Sequence, residues 1–562
     1  MSLATAARLD PAQAACTSSV SGDQTRVVCS GITTDHYWAV EDTPSSVEVQ
    51  ASTTMHTSQA AIRVEGNSTV TIAKGATITV TGSNADQALN AIYVEDDGST
   101  LTNNGSVATT QSSVDGLEAT GNRNTLANTG NVSTQGTSSE ALIARGHANT
   151  LRNSGTIETS GSSARGMIAE GSNNNFINTG VIRTTGAGGE GIRADGGATV
   201  PAENATIANS GTITTSGFTA DGIRLIGNNG TISNEGTVTA SGLEGRGIKV
   251  EGNHNRITNR GLLQALGNGG EGLYVISNSG QTNTIINLED GRIISRDEAA
   301  LRGRFGSEVI ENFGLIRTEA AGGAAVDLDS GNDSFLIGAS SKIEGFVRAS
   351  AGTDTFKLGG STDATFDVRE IGADAKYRDF ERFEKVGPAT WRTENTNNSS
   401  MPWAVREGTL LVTGSMGGSD MTVHGGATLG GTGTVGSIDA LTGSILSPGV
   451  VGAGGRAGVG DIRTLNVAGD VNIAAGTTYR VDLNDKFESD RIVAGGQATI
   501  RGGTVEVHAE QATYSPGRWT ILTAQRGVTG QFSHVDDLIF FQPILTKDAN
   551  NVYLELLPVY PG

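Results

Sequence analysis

Apolar residues recur along this chain singly or in short stretches, each separated from the next by polar turns. In TLRNSGTIETSGSSARGMIAEGSNN, residues 150–174, three short apolar stretches are broken by Gly, Asn and Ser. That spacing predicts three strands and three turns, with no helical period. Nine glycines mark the repeat: Gly105, Gly130, Gly155, Gly180, Gly211, Gly236, Gly261, Gly291 and Gly314, most often 25 residues apart. Four places before them stand Leu101, Leu126, Leu151, Phe176, Ile207, Ile232, Ile257 and Ile310. Two places after come Val107, Val132, Ile157, Ile182, Ile213, Val238, Leu263, Ile293 and Ile316. Twelve after come Leu117, Leu142, Met167, Ile192, Ile223, Ile248, Leu273 and Val326. Stacked coils of this kind give an all-β fold, a parallel β-helix with three strands per coil of about 25 residues. A right-handed course is expected from the crossover rule.

Asn103, Asn128, Asn153, Asn178, Asn209, Asn234, Asn259 and Asn312 precede their glycines by two. Both residue types tolerate positive φ, and stacked Asn amides can bond from coil to coil, so a structural ladder is expected at this corner.

Composition fits a thin aliphatic core. The 562 residues include 80 Gly, 10 Pro and only 5% aromatics. Four regions are expected: an N-terminal cap over 1–45, regular coils over 46–325, less regular coils over 326–390, and a C-terminal region over 391–562. The formal charge of −20 carries no Lys/Arg run, which excludes nucleic acid as a partner. No apolar run is long enough for a membrane helix. The start, MSLATAARLDPAQAAC, lacks an apolar leader core, so a mature portion is expected.

Cys16 and Cys29 are the only cysteines. A local disulfide closing the N-terminal end of the solenoid is the expected state, with an oxidising compartment as its consequence; the competing account is a two-thiol metal site beside His36. Asp329, Asp333 and Asp354 lie in Gly/Asp turns. Such turns fit ordinary Asp turn chemistry, or a short run of calcium-binding carboxylates.

Ten places after the glycines run Asp115, Glu140, Arg165, Glu190, Asp221, Arg246 and Glu271. They are expected to face outward as ion pairs on a wet surface, each worth little; the alternative is an acid–base pair acting on a polysaccharide. Three places further on, Arg193, Arg224, Lys249 and Tyr274 form a basic and aromatic stripe. Two insertions adjoin it, GGATVPAENAT with Pro201 and Glu203, and ISNSGQTNT; both are expected to project from one corner. The stripe and the first insertion are the candidate binding surface, or else a solvated strand beside tolerated loops.

From about Phe380 the chain carries GTLLVTGSMGGSDMTVHGGATLGGTGTVGSI, GSILSPGV, IRTLNVAGDVNIAAGTTYRVDLN, SDRIVAGGQATIRGGTVEV, YSPGRWTILTAQRGVTGQF and NNVYLEL in series. This region resembles the C-terminal passenger part of bacterial autotransporters, notably pertactin-like and self-associating adhesin-like members. The resemblance implies export through the periplasm and display at the cell surface by an outer-membrane β-barrel, for which the chain, stopping at LPVYPG, has no segment. It also implies that Trp391 to Leu556 form a stable autochaperone-like cap. The late aromatics Trp391, Trp403, Tyr479, Trp519, Phe532, Phe540 and Phe541 agree with a larger core there.

Passenger enzymes of two kinds leave motifs. A serine protease passenger would carry a large N-terminal domain with Gly-Asp-Ser-Gly, and an esterase Gly-Asp-Ser near the start, where this chain has Gly22, Asp23 and Gln24. The expectation is therefore a non-enzymatic passenger with no cofactor and no metal, binding host macromolecules through its lateral face. Its partner would be a host cell-surface or serum protein, complement-related regulators included. The alternatives are self-association between neighbouring cells and a polysaccharide-active enzyme.

Overall fold

In a computed structural model of the chain, the described residues are 15–39, 43–82, 90–197, 201–449, 462–509, 515–538 and 541–558. They form two compact units. The first comprises Met1–Ile310, Gly314–Gly331 and Lys342–Phe346; the second comprises Glu311–Phe313, Asn332–Ser341 and Val347–Gly562.

The first unit is built from coils of three strands, typified by Thr150–Asn153, Thr156–Thr159 and Met167–Glu170. Each pairs in parallel and in register with its counterpart one coil on, Asn175–Asn178, Val181–Thr184 and Ile192–Asp195. Repetition generates three parallel sheets, the β-helix expected from the repeat. Leu151, Ile157 and Met167 point inward and are fully buried, as are the residues above and below them. Each such side chain contributes about 2 kcal/mol on burial.

The recurring glycines serve a purpose other than a left-handed turn. Neither they nor the ladder asparagines have positive φ. A Cβ at Gly180 would lie 2.2 Å from the Gly155 carbonyl oxygen, and one at Gly155 would lie 2.1 Å from that of Gly130. The repeat is fixed by the close approach of backbone to backbone.

The Asn ladder forms as expected. Asn103 Nδ2 donates to Asn128 Oδ1, and the same bond runs on through Asn153, Asn178, Asn209, Asn234 and Asn259 at 2.8–2.9 Å. It then reaches Asn287, four places before Gly291. The long coil keeps the rung by adding residues to the turn: Arg256 pairs with Thr284 at an offset of 28, but Leu262 pairs with Arg292 at 30. Only part of the second insertion therefore lies at the corner after the third strand.

At the N-terminal end, Ala15–Ser21 runs antiparallel to Gln24–Ser30, with Cys16 opposite Cys29 and joined to it as a disulfide. The metal-site alternative falls away with that bond. Gln24–Ser30 then pairs in parallel with Ser45–Val49 and so begins the first sheet.

In the second unit the coils vary in length. Trp403 pairs with Met421 and Met421 with Ile438, offsets well below 25 residues. The last strands, Gly517–Ala524, Phe541–Lys547 and Asn551–Pro558, form an antiparallel end. Trp391, Trp403, Tyr479 and Trp519 are buried there, so the late aromatics do form a larger core; Phe540 lies outside the described residues. Buried Lys385 donates to three backbone carbonyls, of Val386, Gly387 and Glu407, at 2.7–3.0 Å. The only helix among the described residues is a 3₁₀ turn, Val368–Glu370.

Candidate functional site

The third sheet brings Arg193, Arg224, Lys249 and Tyr274 into one column, each directly beside the next. Their charges are matched within the sheet. Arg193 binds Glu190 (3.2 Å) and Asp195 (2.6 Å), and Arg224 binds Glu190 (3.2 Å) and Glu251 (3.1 Å). Lys249 pairs with Glu251. Tyr274 is buried under the Arg246 guanidinium, whose carbon lies 4.8 Å from the ring centroid.

The neighbouring column departs from expectation. Asp115, Glu140, Glu190, Asp221 and Glu271 are buried, each no more than 6% exposed, where a wet face was expected. Arg165 bridges Glu140 and Glu190 at 2.8 Å each, and Arg246 contacts Glu271 at 2.9 Å and Asp221 at 3.8 Å. The mixed signs of this column thus form a desolvated ionic ladder, in which removing one partner is costly even where the pair itself contributes little. Burial pushes Asp221 up to about 6 despite Arg246. Burial, reinforced by adjacent Glu140, also raises Asp115 well above the usual carboxylate range.

The first insertion is tied down more than a projecting loop would be. Ala202–Glu203 adds a short strand beside Gly227 and Asn228. The Glu203 carboxylate accepts from Asn228 Nδ2 at 2.8 Å and Asn229 Nδ2 at 2.9 Å. Pro201 is exposed; residues 198–200 of this insertion lie outside the described residues.

The Gly/Asp turns are capped by their own carboxylates. Asp354 Oδ1 accepts from the Asp333 N–H at 2.6 Å, and Glu381 Oε2 accepts from the Asp354 N–H at 2.7 Å. Burial raises Asp354 to about 6. The Asp329 N–H donates to the Gly303 carbonyl at 3.3 Å.

A surface not among the sequence candidates lies at the C-terminal ends of three strands of the second sheet, Asn131–Thr134, Thr156–Thr159 and Val181–Thr184. Ser133, Gln135, Glu158, Ser160, Arg183 and Thr185 line an open groove of about 350 Å³. Ser133, Glu158 and Arg183 are in consecutive register. Glu158 and Arg183 are about half exposed and 3.4 Å apart. One coil beyond, the Gly188 N–H donates to the carbonyl of Phe218, whose side chain is 51% exposed. The signal in sequence was the recurrence of polar residues three and five places after Gly130, Gly155 and Gly180, with Phe218 standing seven places after the next glycine, Gly211.

No family model matches the chain. Part of it is similar to two curated proteins, each an "Extracellular serine protease" of Serratia marcescens, at 30% identity over 162 residues. The match covers 27% of this chain and spans only 14% of the relatives' length. The similarity is to secreted proteins and agrees with the expected extracellular setting. It overturns the expectation that the chain is non-enzymatic, because the relatives it matches are enzymes by name.

Proposed function

We propose that this chain is the β-helical passenger of an autotransporter, exported through the periplasm and presented at the bacterial surface or released from it. The solenoid holds out a lateral surface that binds a host macromolecule, of the cell surface or of serum. The observation that carries this reading is the exposed side groove on a regular stack of coils, which offers recognition along the solenoid's flank. The named relatives favour the extracellular setting.

The test is capture by the immobilised chain from serum and from host-membrane extract in physiological salt. A saturable partner, competed by soluble chain, is the expected result; concentration-dependent association of the chain with itself and no host partner would replace this reading by self-association.

The names of the relatives favour a second property, peptide-bond hydrolysis by a passenger of this kind. Incubation with a fluorophosphonate probe and with unfolded casein tests it. Covalent labelling together with inhibitor-sensitive cleavage would establish it; absence of both would remove it.

A further inference from the structure

We propose that the groove at the C-terminal ends of these second-sheet strands is a binding site for a neutral oligosaccharide laid along the solenoid axis, with Phe218 as the platform at one end. The inference rests on the lateral-binding reading above and names its ligand.

The chemistry of the lining sets the class. Ser133, Ser160 and Thr185 present hydroxyls, Gln135 an amide, Glu158 an acceptor-only carboxylate and Arg183 a fork of donors. Vicinal sugar hydroxyls both donate and accept, so they match a row in which donors and acceptors alternate. Glu158 and Arg183 are of opposite charge and only 3.4 Å apart, which leaves the groove without net charge. An acidic polymer would also meet a chain of net charge −20. A neutral sugar avoids both penalties.

Geometry agrees with chemistry. The groove residues come from three successive coils at the same two positions of each, so the polar groups repeat at about 4.8 Å, the spacing of adjacent strands. An extended pyranose chain repeats at a similar interval, and each sugar would meet one coil. About 350 Å³ sits at the lower end of ordinary ligand sites. In the next coil, the position held in the groove's own coils by Thr137, Ser162 and Ala187 becomes Phe218, and in the one after it Leu243, both about half exposed. The exposed Phe218 ring, one coil beyond Arg183 and Thr185, supplies an apolar face of the kind on which the C–H side of a sugar stacks.

The experiment uses the intact chain on an array of neutral gluco-, galacto- and manno-configured oligosaccharides of a few residues, followed by calorimetry on whichever is retained. Arg183→Ala and Phe218→Ala alter exposed side chains and should leave the melting curve unchanged while weakening binding about tenfold or more each. Arg256→Ala, on the first sheet, serves as the control and should leave affinity unaltered. Retention of no neutral glycan, preference for acidic glycans, or affinity indifferent to both variants would overturn the proposal. A host protein still captured after enzymatic removal of its glycans would overturn it too, while leaving lateral binding standing; failure of both glycan and protein capture would remove both.

Discussion

Asn153 Nδ2 donates to Asn178 Oδ1 at 2.8 Å, and both side chains are buried at the turn between the first and second sheets. Asn178 in turn donates to Asn209 at 2.8 Å, so each amide is donor to one coil and acceptor from another. Asn178→Ala breaks two rungs and leaves a buried acceptor on Asn209. A loss of about 2–3 kcal/mol is expected, read as a lower urea midpoint by circular dichroism.

Gly180→Ala tests why glycine recurs. Its Cβ would meet the Gly155 carbonyl oxygen at 2.2 Å, and the next nearest atoms, at Ser154 and Gly155, are backbone too, so no side chain can swing away. Destabilisation well beyond the ordinary Gly-to-Ala difference is expected, with loss of cooperative melting in the adjoining coils. An unchanged melting temperature would mean that the coils separate freely at this corner.

Thr219→Gly should act in the opposite direction. Thr219 has φ 53°, a left-handed conformation unfavourable for a β-branched residue, while Gly188 and Gly269 hold φ 64° and 73° at the equivalent turns. The strain of about 1–2 kcal/mol exceeds the entropy glycine loses. A gain of up to about 1 kcal/mol is expected in urea unfolding.

Asp354 makes stability depend on pH. Its carboxyl is raised by burial to about 6, so between its unfolded value and 6 the folded state holds the extra proton. Its contribution is therefore greatest at about pH 4 and below and is lost as pH rises through 6. Asp354→Asn keeps an acceptor for the Asp333 N–H, as Asn124 and Asn149 do for Ser99 and Asn124. The variant should flatten this slope and be more stable than the parent at pH 8, measured by urea melts from pH 4 to 8.

The ionic column shows where pattern stops being informative. Glu140, Arg165 and Glu190 were legible as a series of alternating charge, but a periodic string does not reveal depth. Their burial follows from side chains on adjacent segments covering one another, as the Arg165 bridge to both carboxylates shows. The same holds for Arg193 and Arg224, visible as cations in sequence but already engaged by Glu190 in space.

The strand positions, the inward residues Leu151, Ile157 and Met167, the Asn rungs and the Cys16–Cys29 bond were all determined by sequence, because each is set by a contact one repeat away or by a short loop. Tertiary structure alone decided which polar columns are dry and which are wet. It placed Asn287 in the ladder despite its shifted spacing, folded Ala202–Glu203 onto the third sheet, and left Glu158, Arg183 and Phe218 open to solvent on one flank. Those outcomes depend on contacts between side chains of different coils and turns, which the spacing within one repeat does not specify.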